Sequence, residues 1–202
     1  MAQYDTTLTD IQTDIAYNLG ETSVATGDDY TIRNRFINNR IKEIWDDNDF
    51  EHLATLATVT LTSGSVTIAT KPNGLLDLRS STSGTDHVFT EVPYEKFDDY
   101  TASDYVYYKN GTVYKTNSTD TYLTAKYIPK SPSLATAADT IDMPSQLLAR
   151  GAVMDVRYSE DPEADLTKEE ETYSRLLEKF VGAENVGNTR IFESISYPLG
   201  EA

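Results

Sequence analysis

The hydrophobic periodicity of this chain changes twice, and that restricts the folds open to it. Up to about Leu53, and again beyond Lys130, large apolar residues recur every third or fourth position. Between Ala54 and Lys130 they recur every second position. The first spacing builds one face of a helix and the second one face of a strand. The sequence therefore predicts an α+β protein in three parts. Residues 1–53 and 131–184 form helices, residues 54–130 form an inserted β module, and residues 185–202 form an extended tail. Two short amphipathic helices make a poor core. The N- and C-terminal helices are thus expected to pack together as one helical bundle.

In the first zone Leu8, Ile11, Ile15 and Leu19 share a helical face. Thr7 is placed to cap that helix with Asp10 as its capping-box partner, and Gly20 to stop it. Asp28 or Asp29 is placed to cap a second helix carrying Phe36, Ile37, Ile41, Ile44 and Trp45. In the β zone, "ATVTLTSGSVTIAT" alternates strictly and reads as a hairpin about Ser63-Gly64. "KPNG" reads as a chain break before the strand "LLDLRS", "HVFTEVP" as a strand and "YEKFDDY" as a short helix. Asn110-Gly111 is the strongest local hairpin signal. About six short strands suggest an antiparallel sandwich or a partly open barrel.

In the third zone Pro144 suits a first helical turn, and Leu147, Leu148, Gly151, Ala152 and Asp155 share a side. Pro162 is expected to start a last helix with a stripe of Leu166, Tyr173, Leu176, Leu177 and Phe180, ending at Gly182. Beyond it, Ile191, Ile195, Tyr197 and Leu199 fall on alternate positions, with Glu193 the polar exception and Phe192 beside them. A tail with such anchors suits strand addition to another chain. The bland reading is a frayed terminus.

The second helix raises a charge problem. The chain carries 33 acidic and 17 basic residues, a formal net charge of −16. On a wheel of roughly 100° per residue, Arg33 and Arg40 nevertheless fall in the apolar arc with Ile37, Ile41 and Ile44. Arg35 and Lys42 point the opposite way. A guanidinium in an apolar stripe must snorkel or meet carboxylates. One reading is an internal salt bridge, with Asp155 as a candidate partner. Another is a subunit interface built from Arg33, Arg40, Arg35 and Lys42, because arginine's planar fork suits such sites. A DNA-binding helix is the third, opposed by the acidic run "DDND" and the global charge.

Catalytic signals are weak. No phosphate loop, nucleophile elbow or zinc spacing occurs, and His52 and His87 have no ligand pattern around them. "DDNDFE" lacks the glycine and terminal glutamate of a calcium loop. Asp98, Asp99 and Asp104 lie among tyrosines, which admits a glycosidase reading, but adjacent residues of a strand diverge. No cysteine is present, so thiolate chemistry is excluded. No enzymatic activity, cofactor or metal is expected. The sequons at Asn110 and Asn117 read as turns. The N-terminus shows no secretory signal, and no apolar run approaches the roughly 20 residues that span a bilayer, so no membrane partner is expected.

The order of these segments resembles a known family. "LTDIQTDIAYNLGETS" followed by "YTIRNRFINNRIKEIWDDNDFEHL" is similar to the opening of tailed-phage head-to-tail adaptor proteins, also called head-completion or connector proteins. The resembling pattern is Phe36, Ile37, Asn38, Glu43 and Ile44. It continues through "SGSVTIATKPNGLLDLRS", "VYYKNGTVYKTNSTDTYLTAKYIPKSPSL" and the closing helix pair. Arg40 stands where the pattern has a small residue. The resemblance implies a structural virion protein, assembled in the host cytoplasm. It would form a homo-oligomeric ring, typically of twelve copies, beneath the portal protein. Such a ring extends the DNA channel, lets double-stranded DNA pass without specific binding, and offers a platform to a tail or nozzle protein. The tail of Ile191, Phe192, Ile195, Tyr197 and Leu199 would dock on the portal. The alternative is a β-rich receptor- or glycan-binding virion module, with Tyr105, Tyr107 and Tyr108 as a stacking platform.

Overall fold

The computed structural model describes residues 4–48, 50, 53–80 and 87–193, with side chains described through residue 182. The chain is mixed α+β and divides into two compact units. One comprises Met1–Asn48 and Ser131–Ala202, the other Asp49–Lys130.

The first unit holds four α-helices among the described residues: α1 (Leu8–Leu19), α2 (Gly27–Asp47), α3 (Ser145–Glu160) and α4 (Thr167–Glu193). Strand β1 (Thr6–Thr7) pairs antiparallel with β9 (Thr140–Ile141), which fixes the start of α1 beside the approach to α3. The Thr7–Asp10 capping box forms with both its arms, and Gly20 takes φ 74° to end α1. Helix α2 starts earlier than expected. Its N-cap is Thr26, without a side-chain cap, so Asp28 and Asp29 lie in the first turn. There they face the positive end of the helix dipole.

Helix α3 packs against α1, α2 and α4. Its sequence explains this central place, since Leu147, Leu148, Ala149, Gly151, Ala152, Val153, Met154 and Val156 are all buried. A helix apolar on most sides needs cover on most sides. The stripes expected on α1 and α2 are the buried ones, with Ile11, Ile15, Ile37 and Ile41 fully enclosed.

Helix α4 differs at both ends from the sequence reading. It begins at Thr167 rather than Pro162, where Asp165 accepts hydrogen bonds from the Thr167 backbone N–H and hydroxyl. It does not stop at Gly182 but runs to Glu193. Gly182 lacks the left-handed φ that ends a helix. The first nine residues of the expected extended tail, 185–193, are therefore helical, including Ile191 and Phe192. Ile195, Tyr197 and Leu199 lie outside the described residues.

In the second unit, β2 (Thr55–Thr60), β8 (Tyr122–Pro129) and β4 (Thr70–Ser80) form an antiparallel sheet in the order β2-β8-β4. A second sheet runs β3 (Ser65–Thr67), β7 (Val113–Thr116), β6 (Val106–Asn110), β5 (Thr90–Glu91), with β5 parallel to β6. The sheets do not close into a barrel among the described residues. Both contribute to one core: Leu78, Leu123 and Ala125 from the first sheet, Val66, Tyr107 and Tyr114 from the second, joined by Ile68 and Phe89.

Two turn signals met different fates. At Asn110-Gly111 the hairpin forms, with Asn110 paired to Val113 and Gly111 at φ 62°. At Ser63-Gly64 both residues take positive φ (51° and 72°), and Thr62 bridges Ser65. The turn is there, but the expected hairpin is not, because β2 goes on to pair with β8 and β3 with β7. "KPNG" is likewise no break. It lies inside β4, in the first of two register shifts, between Thr70 and Leu75, with Asn73 at φ 57°. Gly74 is required there, since a Cβ would sit 2.8 Å from the Ile128 carbonyl oxygen. "HVFTEVP" yields only the two-residue β5 and a single bridge from Val88 to Arg79. "YEKFDDY" gives a short 3-10 helix, Tyr94–Asp99.

Candidate functional site

The charge problem of α2 resolves inside the helical unit. Arg33 is buried and donates from Nη1 to Glu21 Oε2 at 2.8 Å and from Nη2 to Glu21 Oε1 at 2.6 Å. Glu21 directly follows the Gly20 cap, and its backbone N–H bonds the Ala16 carbonyl at 2.9 Å. The bidentate pair thus fastens the α1–α2 turn to the second turn of α2. The hydrogen bonds from Arg33 hold the Glu21 carboxyl below the ordinary value of 4.5. In return the hydrogen bond to Glu21 raises the guanidinium, against an opposing effect of burial.

Arg40 is the more connected of the two. Nε and Nη2 reach Asp155 Oδ2 and Oδ1 at 2.9 and 2.6 Å, and Nη1 reaches Glu43 Oε2 at 2.7 Å. Its guanidinium carbon stands 5.4 Å from the ring centroid of Tyr173. One side chain of α2 is therefore gripped by α3 and α4. Burial acts to lower the Arg40 pKa, but Asp155 and then Glu43 overcome it and hold the guanidinium above its ordinary value. Burial likewise pushes the Tyr173 phenol up, with Arg40 opposing. Gly151 makes room for this arrangement, since a Cβ there would lie 3.0 Å from both Arg40 Cγ and Tyr173 Cε2. This explains how α2 carries a long side chain where the resembling pattern has a small one.

Arg33 and Arg40 are both paired within the chain: Arg40 with Asp155, the candidate partner that the sequence offered, and Arg33 with Glu21, which it did not. Arg35 and Lys42 differ. Both are exposed, and neither has an ion-pair partner among the described residues. The Arg35 guanidinium lies 5.5 Å from the ring centroid of its neighbour Phe36. With exposed Ile32 and Asn39 they form one face of α2, at helical positions i, i+3, i+7 and i+10. That face offers cations and an apolar side chain on a strongly acidic chain.

Sequence reasoning missed Asn38 as an anchor. Its Nδ2 donates to the Leu134 carbonyl at 3.0 Å, and its Oδ1 accepts from the Leu134 N–H at 2.8 Å. The amide thus pins the segment before α3 to α2. A signal existed, because asparagine is a poor mid-helix residue and needs a reason to be there.

The other candidates do not assemble into a site. Tyr107 is buried in the β core, and burial followed by the nearby Glu91 carboxylate raises its phenol. Tyr108 is half-buried against Tyr94 and Phe97. Tyr105 takes φ 49° and stacks on His87 with centroids 4.1 Å apart. The three tyrosines therefore do not share one open platform. Asp104 is engaged in a capping box with Thr101, whose backbone and hydroxyl hold its carboxyl below the ordinary range. Asp98 and Asp99 are exposed on the 3-10 helix. His52 lies outside the described residues. Among the described residues no cluster of three His, Cys, Asp or Glu is placed to hold a metal, and no helix is long and apolar enough to cross a membrane.

A family model described as SU10 adaptor protein matches residues 6–190, which takes in both units. No curated protein matches the chain.

Proposed function

The chain belongs to the SU10 adaptor protein family, and from that premise we propose that it is a structural component of a phage virion that joins the head to the tail. The family match over residues 6–190 is the observation that carries this reading. Copies close into a ring beneath the portal protein, of the order of twelve as the resemblance implies, and the ring continues the DNA channel. The β unit meets the tail-side component. No catalysis, cofactor or metal is involved.

Such a ring needs a heterologous interface that closes by rotation. The exposed α2 face with Arg35 and Lys42 suits it, because the next copy offers a surface rich in carboxylates. Arg33 and Arg40 support the same interface indirectly, by holding α2 rigidly on its own unit. The excess negative charge fits a channel that must not retain DNA by its phosphates. The C-terminal segment docks on the portal, with helix α4 leading to it.

The test is native mass measurement of the protein alone and mixed with the portal of its own phage. Rings form only in the mixture. Removing residues 194–202 leaves α4 whole and abolishes docking. Reversing both exposed cations, Arg35→Glu with Lys42→Glu, impairs ring closure while leaving monomer stability nearly unchanged. Retained portal binding after the truncation overturns the tail assignment. Rings that survive the double reversal overturn the α2 interface.

A further inference from the structure

The β unit has an unfinished edge. In the sheet β2-β8-β4, strand β2 pairs on one side only among the described residues; the outward side is taken up by the chain itself only past the strand's end, where Thr62 bridges Ser65. Leu61 donates its N–H to the Thr121 carbonyl at 2.9 Å, in register with the β2–β8 ladder. Alternation then points the N–H and C=O groups of Val59, Ala57 and Thr55 toward β8. Those of Leu56, Thr58 and Thr60 point outward, and no hydrogen bond reaches them among the described residues.

The side chains are unfinished too. On the central strand, Leu123 and Ala125 are fully buried, whereas their cross-strand partners Val59 and Ala57 on β2 are only half-buried. On the other face Leu56 is 71% exposed. Edge strands are ordinarily protected by charge, proline, a bulge or short length. Strand β2, "TLATVT", has six residues with regular pairing and neither charge nor proline.

We propose that the open edge of β2 pairs with the same edge of a second copy of this chain, antiparallel about a two-fold axis at Thr58. The register makes the edge its own complement. With Thr58 opposite Thr58 of the second copy, Leu56 falls opposite Thr60 and Thr60 opposite Leu56. These are the three residues whose backbone groups point outward, so each pair exchanges both of its hydrogen bonds. On the half-buried face, Ala57 meets Val59 of the other copy, and Val59 meets Ala57, which continues the apolar row across the joint. A Thr–Thr pair at the axis is a favourable cross-strand neighbour. No like charges face each other along the joined strands, although each copy carries a net charge of −16. The product is one six-stranded sheet. An isologous pairing of this kind is closed, so it covers the edge without propagating into a fibre. It goes beyond the ring reading and concerns the protein before it meets a portal.

The test is sedimentation of the full-length protein alone over a range of concentration and salt. The mass should double with concentration, and more readily at higher salt, which screens the repulsion between acidic copies. Thr58→Lys and Thr58→Glu each place like charges at the axis, and each should weaken the dimer about tenfold or more. Mixing the two variants should restore it as a heterodimer, which a merely misfolded variant would not do. Thr58→Cys gives a second reading. The chain has no other cysteine, and paired strands bring two such residues to about 5.5 Å between Cα atoms, so oxidation should link the copies. A wild type that stays monomeric, or a dimer indifferent to Thr58→Lys, overturns the proposal. So does a monomer in which Thr58→Lys instead weakens capture of a tail-side component, which would assign the edge to that partner. Each outcome is read without portal rings, so it stands or falls apart from the ring reading.

Discussion

The two units orient their elements by different means. In the helical unit, side chains set one element against another: Arg33 to Glu21, Arg40 to Asp155 and Tyr173, Asn38 to Leu134. In the β unit the backbone ladders do most of that work, and one of its ion pairs, Arg79 with Asp77, lies along a single strand. The reason is where the peptide groups go. A helix satisfies them internally and has nothing left to align a neighbour, whereas a strand aligns its neighbour by satisfying them. Polar residues inside the apolar stripe of α2 are thus alignment devices.

The largest effects should come from truncations in the two cores, and they test whether the units are separate at all. Leu148 and Leu123 are both fully buried, one in each unit. Each change to alanine should cost about 2–5 kcal/mol. The chain has a single tryptophan, Trp45, buried in the helical unit. Leu148→Ala should move its fluorescence transition in denaturant, and Leu123→Ala should move tyrosine near-ultraviolet dichroism instead. If both variants move both signals equally, the units unfold as one and the contrast fails.

Next in size is the difference between the two arginines. Arg40→Met strands Asp155 beside α2 and should cost about 3 kcal/mol, since a largely buried charge loses its partner. Arg33→Met leaves Glu21, which is more open to water, and should cost about 1 kcal/mol. Adding Asp155→Leu to Arg40→Met should recover much of the loss. Equal costs for the two single changes would mean that Arg40 does not key three helices together. In the β unit the matching test is steric. Gly74→Ala drives a Cβ toward the Ile128 carbonyl and should cost about 1–3 kcal/mol, read as a lowered denaturation midpoint.

The sequence disclosed the helices well because a helix is a local object. The α1 cap, the Gly20 stop and the stripes of α1 to α3 each depend on residues a few positions apart. Even Asp155 as a partner for Arg40 was legible, because both lie on faces that had to be buried. The β unit was legible in its turns and in the Asn110-Gly111 hairpin, but not in its other pairings. Ser63-Gly64 bends the chain as its residues require, but which strand lies alongside β2 depends on Leu123 and Ala125, some sixty residues away. "KPNG" carries proline and glycine, yet the irregularity inside β4 is where Gly74 is required, so it misled for a physical reason. The continuation of α4 past Gly182 was missed because glycine is a stop only where its φ is left-handed. The exposed α2 face was visible as Arg35 and Lys42, although the same wheel also offered Arg33 and Arg40, which the fold uses internally.

The smallest effect concerns acid, and it returns to the difference between the units. Asp10, Glu21, Asp139 and Asp165 in the helical unit all titrate below their ordinary values, and Asp104 does so in the β unit. The causes are hydrogen bonds from Thr7, Arg33, Thr136, Thr167 and Thr101 in turn. Because these groups are more acidic folded than unfolded, the unfolded chain takes up protons first as pH falls. Their stabilisation is complete above the ordinary values of 3.8 for Asp and 4.5 for Glu, and is lost as pH drops through the lowered ones. The Trp45 transition should therefore fall below about pH 4.5, ahead of the tyrosine signal, to which the β unit contributes eight of the fourteen tyrosines. Thr7→Ala removes the hydroxyl that bonds Asp10 and should flatten that decline slightly. An acid response equal in the two units would show that the helical unit does not depend on its carboxylates more than the β unit does.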